Sequence, residues 1–397
     1  MLVESKNTKI SYRINSLYQT LERPLHSNYW QLKIVILCIF VAGFMQIPRY
    51  QYFYRFAIIR DGSNVIYTAF EKQVEAPFEP RIYTPGSHEA KMAVRLTVPL
   101  IINLLCIPPA GFIVVQFLVG ILMLTALVKL FYDLTNDRLS TAFLMVGLCC
   151  TYFGAAFFFD VMGMFDAFSY TILVLMMFYR NAIALSILVI VGAFTDERVI
   201  IAAPIAILWH VCRDNISILK QSWSSLFNIF VRNSQAIGII LGAIVYIFTR
   251  LYILNHYHLN TDNGFVGLSA LSANALGGAL EVGLFSALEA FWIIVIASLA
   301  ILVSTGAYRL LILFVLAALP IYGGAFLVFD ITRSICYGTP VILISLYFLL
   351  PYLSKVSLRH LSAFVMFASI FLPTLYVITS CKVASSFINY LLVAVLS

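Results

Sequence analysis

The chain has 397 residues, of which 62% are hydrophobic and 11% charged, with a mean hydropathy of +0.95 and a formal net charge of +7. Soluble domains carry about 25% charged residues, so this composition cannot cover a water-facing surface and excludes a soluble multidomain architecture. The apolar runs are long and continuous, not alternating, which excludes a membrane β-barrel and leaves helices of roughly 20 residues crossing the bilayer. The positive balance fits Lys and Arg on cytoplasmic turns and contact with anionic lipid, not nucleic acid.

In chain order, residues 1–32 are polar and mixed in charge, with no short apolar region leading to a small-residue cleavage site. They read as a cytoplasmic segment ahead of a retained anchor. Residues 33–48 form the first span, and Lys6, Lys9, Arg13, Arg23 and Lys33 place the N-terminus in the cytoplasm. Residues 49–92 make a long first outer loop, whose Tyr50, Tyr52, Phe53, Tyr54 and Phe56 suit helices lying at the interface. Residues 93–107 are apolar but short and interrupted by Arg95 and Pro99, so they read as an interfacial helix on the same side. The run 110–132 then crosses inward to Asn136, Asp137 and Arg138. Residues 140–157 return outward to Asp160 and Asp166, 167–179 go inward to Arg180, and 182–194 go outward to Thr195, Asp196, Glu197 and Arg198. Further crossings fall at 199–212, 236–254, 289–307, 310–328, 337–353 and 361–380, and 383–397 reads as a final short span.

The fold class is therefore an all-α integral membrane protein with about eleven transmembrane helices (range 10–13). It divides into a core over 33–210 and a C-terminal set of helices over 211–397. The alternation has an internal check. Arg138, Arg180, Arg213, Lys220, Arg232, Arg309, Lys355 and Arg359 all fall on the cytoplasmic side, whereas counting 93–107 as a full span would move every one of them outside.

This topology gathers Asp61, Asp160, Asp166, Asp196, Glu197 and Asp330 at the outer ends of the helices. Ionisable groups at a membrane boundary are costly and mark functional sites. Asp61, followed by Gly62, serves either a turn or a general base for a hydroxyl. Asp166 either caps the helix that follows or assists that base, with Asp160 as its partner. Arg198 either neutralises Asp196 and Glu197 beside it or binds phosphate, and Arg333 near Asp330 has the same two readings. Arg81, His88, Lys91 and Arg95 add cations that either meet an anionic head group or anchor the loop at the interface.

The seven cysteines (Cys38, Cys106, Cys149, Cys150, Cys212, Cys336 and Cys381) lack a paired metal-type spacing and read as small buried hydrophobes. No zinc signature, Walker loop, Rossmann glycine pattern or nucleophile elbow occurs, and the His256–His258 pair lacks a carboxylate at helical spacing. No metal site is expected, and a divalent cation is the one cofactor left open.

A cytoplasmic start, one span, a long outer segment with an early Asp, and then RLTVPLIINLL from Arg95 resembles the GT-C superfamily. These are polytopic glycosyltransferases that take sugars from polyprenyl-phosphate carriers. MFDAFSY at Asp166 is similar to the Asp-plus-small-residue stretch opening the fourth span of many members. GAFTDERVIIAAP is similar to the small-residue stretch ending their fifth span, with Asp-Glu-Arg standing where a Lys is common. The resemblance covers roughly residues 33–210. It implies transfer of a sugar from a polyprenyl-phosphate donor to an acceptor hydroxyl, with inversion, at the outer face of a bacterial inner membrane, in cell-envelope polysaccharide chemistry. The donor phosphate would meet outer Arg or Lys, and Asp61 would be the base, with Asp160 or Asp166 assisting. The acceptor would be a glycan or a lipid-linked molecule. Two other classes remain: a polymerase or ligase of lipid-linked oligosaccharides, and a non-enzymatic transporter or flippase.

Overall fold

A computed structural model of the chain describes residues 16–45, 50–60, 62–81, 90, 92–213, 223–259, 267–276, 278–328, 330–372, 374–378 and 381–384. The chain opens on α1 (Ser16–His26), which meets α2 (Trp30–Met45) at a bend of 108°. Pro24 sits in the first turn of the 3-10 segment that ends α1. The carbonyls left without helical partners at this corner are taken by side chains, as helix ends require. Lys33 Nζ donates to Pro24 O (3.0 Å) and Arg138 Nη1 to Leu25 O (2.8 Å).

The segment after α2 holds α3 (Tyr50–Phe53) running into a π turn over Tyr54–Ile59, then α4 (Val65–Glu75) and α5 (Thr97–Leu104). Helix α5 is short, within the stretch that Arg95 and Pro99 interrupt, and its last residue, Leu104, is 76% exposed. Asn103 Nδ2 donates to Val74 O (2.7 Å) and Gln73 Nε2 to the carbonyls of Met92 and Ala93 (3.2 Å each), tying α4 to the approach of α5. The apolar face of α4 buries Tyr67 and Phe70 against Phe112 and Phe165 in an aromatic cluster separate from the main core.

The bundle follows as α6 (Phe112–Thr135), α7 (Arg138–Cys150), α8 (Tyr152–Phe159), α9 (Asp166–Phe178), α10 (Ala182–Thr195) and α11 (Arg198–Arg213). Next come α12 (Trp223–Arg232), α13 (Ser234–His256), α14 (Gly267–Leu276), α15 (Ala279–Leu288), α16 (Trp292–Ser304) and α17 (Tyr308–Ala325). The short α18 (Ile331–Cys336), then α19 (Val341–Leu349) and α20 (Lys355–Phe371), complete the helices. Helices α10 and α13 approach closely because Gly238 and Gly242 of α13 stand against Ala182 and Ser186. A Cβ on Gly238 would fall 2.4 Å from Ala182 O. Ser186 Oγ donates to Gly238 O at 2.6 Å, the small-residue packing that membrane helices favour.

Four described helices are long and apolar enough to cross a membrane: Pro109–Thr135, Ser234–His256, Ala279–Ser304 and Tyr308–Ala325. The number rises to six if each bent pair, α1 with α2 and α7 with α8 (58°), counts as one span. This is consistent with an integral membrane protein. It is fewer than the eleven read from the sequence because several helices end early. Helix α9 has 13 residues, a rise of about 20 Å against roughly 30 Å of hydrocarbon.

One expected element is corrected. Residues 361–380 do not form a continuous span. Helix α20 ends at Phe371, and Leu372, which precedes Pro373 in the sequence, is extended (ψ 142°), as a residue before proline prefers. The chain then forms an antiparallel hairpin of β1 (Leu375–Ile378) and β2 (Cys381–Ala384), with Leu375 opposite Ala384. Residues 385–397, where a final span was expected, lie outside the described residues.

Two groups of paired ionisable side chains lie at different ends of the bundle. At one end Arg359 joins Asp137 (2.7 Å) and Glu22 (2.8 Å), Lys355 approaches Asp137 (3.2 Å), and Arg213 faces Asp133 (3.7 Å). Burial pushes the Asp137 carboxyl up, but hydrogen bonds from Arg359 and Ser140 and the Arg359 charge bring it down to about 2. The cations expected in the cytoplasm at Arg138, Arg213, Lys355 and Arg359 thus share one end, and Asp160, Asp166, Asp196, Glu197, Arg198, Asp330 and Arg333 share the other.

Candidate functional site

The site grows from the turn between α8 and α9. Gly163 (φ 83°) and Phe165 (φ 64°) adopt left-handed backbone there, which curls the turn back over Asp160. The Asp160 carboxylate accepts the backbone N–H groups of Met164 and Asp166 (3.1 Å each), so Asp160, not Asp166, caps α9. This corrects the reading of Asp166 as its own helix cap. Its side chain instead points inward. Arg333 Nε donates to Asp166 Oδ1 (2.7 Å), Tyr337 OH lies 3.4 Å from the same oxygen, and Tyr152 OH donates to Oδ2 (2.9 Å).

Asp196, at the junction of α10 and α11, is the second centre. The backbone N–H and Nε of Arg198 donate to its Oδ1 (3.0 and 2.8 Å), and Arg198 Nη2 donates to Oδ2 (2.5 Å). Arg95 Nη1 (3.0 Å) and Arg333 Nη2 (3.7 Å) approach the same Oδ2, so one carboxylate faces three guanidinium groups. Arg95 also reaches Glu197 (3.5 Å) and Arg333 reaches Asp330 (3.0 Å). Arg198 donates to Ser334 Oγ (2.9 Å) and its guanidinium lies 4.6 Å from the centroid of the Tyr337 ring.

The cluster is graded from a dry floor to an open rim. The side chains of Asp166 and Asp196 are wholly buried, while Arg198 is 13%, Asp330 24% and Glu197 38% exposed. Asp160, Asp166, Asp196, Glu197 and Asp330 set five carboxyl groups against the three guanidinium groups of Arg95, Arg198 and Arg333. Not all can ionise without leaving net charge in a low-dielectric setting. Burial, followed by repulsion from Asp166, accordingly lifts Asp160 to about 6 against the pull of Arg333 and its two N–H donors. Burial also acts to raise Asp196, but Arg198 and Arg95 overcome it and hold the carboxyl well below the usual range. Within this dense network some donors stay unsatisfied. Arg95 Nε and Nη1 and Arg333 Nη2 have no hydrogen-bond partner, nor does Glu197 Oε2.

Asp160, Asp166, Asp196, Glu197, Arg198, Arg333 and Arg95 therefore converge as expected for a site. Arg81 does not join them. It donates to the carbonyls of Lys72 (2.5 Å) and Ala76 (2.7 Å), closing the C-terminal end of α4. Asp61 and His88 lie outside the described residues. Sequence reasoning missed three tyrosines. Tyr152 and Tyr337 hold Asp166, and Tyr376 of β1 stacks on Tyr152 with ring centroids 5.4 Å apart. Among the described residues no group of three or more His, Cys, Asp or Glu could hold a metal ion.

Fold and site together define a helical, membrane-type chain carrying one buried acidic–arginine cluster at a single end. No family model, curated protein or solved structure matches it.

Proposed function

We propose that the chain is a membrane glycosyltransferase of the GT-C kind, moving a sugar from a polyprenyl-phosphate donor to an acceptor hydroxyl at the outer face with inversion. The observation that carries this reading is the meeting of Arg95, Arg198 and Arg333 around Asp196, with guanidinium nitrogens left without hydrogen bonds, beneath a rim of Glu197 and Asp330. A donor phosphate needs planar cationic forks, and an attacking hydroxyl needs a carboxylate. In this reaction the acceptor hydroxyl gives its proton to the base while its oxygen forms the new bond at the anomeric carbon. The bond from that carbon to the phosphate oxygen breaks, and the lipid phosphate leaves with the electron pair into the arginine field.

Asp61 is the proposed base. Asp160 and Asp166 act at one remove: Asp160 shapes the turn, and Asp166 fixes Arg333 and two tyrosine hydroxyls. The same reading takes the cluster end as the outer face, the N-terminus as cytoplasmic, the spans as about eleven and the membrane as a bacterial inner membrane. The test is transfer of a labelled sugar from a polyprenyl-phosphate donor by the reconstituted protein. Asp61→Asn is expected to abolish transfer while leaving donor binding in place. Full activity in Asp61→Asn would sink the assignment of the base. A transporter or flippase is the second reading, favoured by the bent α7/α8 pair and the wholly buried charges. It predicts donor movement across vesicles without transfer.

A further inference from the structure

A second carboxyl group lies away from the charged cluster, inside the long apolar helix Ala279–Ser304. Glu289 interrupts that helix between α15 and α16, with φ 49° and ψ −124°, a backbone region that non-glycine residues rarely adopt. Its side chain is buried, and no cation pairs with it among the described residues. Its Oε1 lies 2.7 Å from Thr374 Oγ1, and its Oε2 has no hydrogen-bond partner.

The hydrogen count around Thr374 is the deciding feature. Thr374 Oγ1 lies 2.9 Å from the carbonyl of Cys150 as well as 2.7 Å from Glu289. A threonine hydroxyl has one proton to donate, and a backbone carbonyl can only accept. The Thr374 proton is thus committed to Cys150 O, and the proton in the shorter contact must come from Glu289. An ionised carboxylate here would have no counter-charge among the described residues and one hydrogen bond at most, a burial that costs far more than taking up a proton. Among the described residues, the thiols of Cys150 on α7 and Cys336 on α18 lie within reach of its charge.

The geometry points to Glu289 as an intramembrane proton-binding site, a neutral carboxylic acid that donates to Thr374, which donates in turn to the Cys150 carbonyl. This relay ties the end of α7 and the break in the Ala279–Ser304 helix to the start of the hairpin. Two residues beyond Thr374, Tyr376 stacks on Tyr152, which holds Asp166. Loss of the proton removes the link that seats the hairpin beside the charged cluster. None of this depends on the sugar-transfer reading.

The test is infrared difference spectroscopy of the full-length protein at neutral pH, wild type minus Glu289→Gln. Gln keeps a donor for Thr374, so the fold is retained. The expected result is a carboxylic-acid carbonyl band present in the wild type and lost in the variant. Loss of carboxylate bands instead overturns the proposal. If the variant does not fold, the wild-type protein is treated with dicyclohexylcarbodiimide, which enters apolar regions and modifies protonated carboxyls, and the adducts are mapped by mass spectrometry. Modification at Glu289 supports the site, and an unmodified Glu289 peptide overturns it.

Discussion

Asp196→Asn isolates the charge that organises the cluster. The substitution keeps the size and one oxygen but removes the one carboxylate that, among the described residues, faces Arg95, Arg198 and Arg333 together. Breaking a buried ion pair by neutralising one partner costs about 3–5 kcal/mol, because the remaining charge stays desolvated. Three guanidinium groups share Asp196, so their losses do not add, and the expected cost stays near the top of that range. Glu197→Gln is the internal contrast. Its side chain is 38% exposed and meets Arg95 only at 3.5 Å, so its pairing contributes at most about 1 kcal/mol. Reversible unfolding in mixed micelles measures both. A loss below about 1 kcal/mol in Asp196→Asn, equal to that of Glu197→Gln, would mean that water reaches the floor of the cluster and would refute the burial argument.

The two ends of the bundle carry opposite pH dependences. Asp160 is raised from 3.8 to about 6, so its contribution is present below about 4 and is lost as pH rises through about 6, on the order of 3 kcal/mol in all. Asp160→Asn is expected to flatten the stability profile over that window in denaturant titrations. Asp137 is lowered to about 2, so its contribution, about 2 kcal/mol, is present above about 4 and is lost as pH falls through about 2. Arg359→Leu is expected to flatten that acid limb, as measured by the same titrations. Gly238→Leu places a side chain against the backbone of Ala182 and is expected to cost about 1–3 kcal/mol or more; retained wild-type stability would show that α10 and α13 separate easily. Tyr376→Phe removes a buried hydroxyl that has no hydrogen-bond partner and is expected to leave stability within about 0.5 kcal/mol, whereas Tyr376→Ala, which deletes the ring on Tyr152, is expected to cost about 3 kcal/mol or more.

Much of the fold was legible because membrane helices announce themselves by continuous apolar composition, which needs no knowledge of partners. Pro99, Arg95 and the brevity of 93–107 marked that stretch as a short helix for the same reason. Local chemistry that competes with apolarity was harder to read. The stretch LYVITSCKVA is as apolar as a helix end, yet its β-branched residues and the preceding Pro373 suit a hairpin. The break at Glu289 carries no Pro or Gly to announce it. The corner between α1 and α2 depends on Lys33 and Arg138 capping carbonyls, the second of them more than a hundred residues away.

For the site, alternation alone told which charges share an end, since each crossing reverses the side on which the next turn falls. It could not tell which of them touch. Arg81 sits on the same stretch of sequence as other candidates but folds back on its own helix, as cations after a helix often do. The cap of α9 falls to Asp160 instead of Asp166 because left-handed backbone at Gly163 and Phe165 curls the turn back over Asp160. The tyrosines had no signal, because Tyr152, Tyr337 and Tyr376 resemble every other aromatic in a chain rich in them. What distinguishes these three is that they surround a carboxylate which already has an arginine. A buried Asp166 satisfied by Arg333 and Tyr152 holds its ion pair in one geometry, and that fixed geometry leaves the far side of the Arg333 guanidinium, at Nη2, turned toward Asp196 without a hydrogen bond. The saturation of one carboxylate is thus what keeps a donor available beside the other.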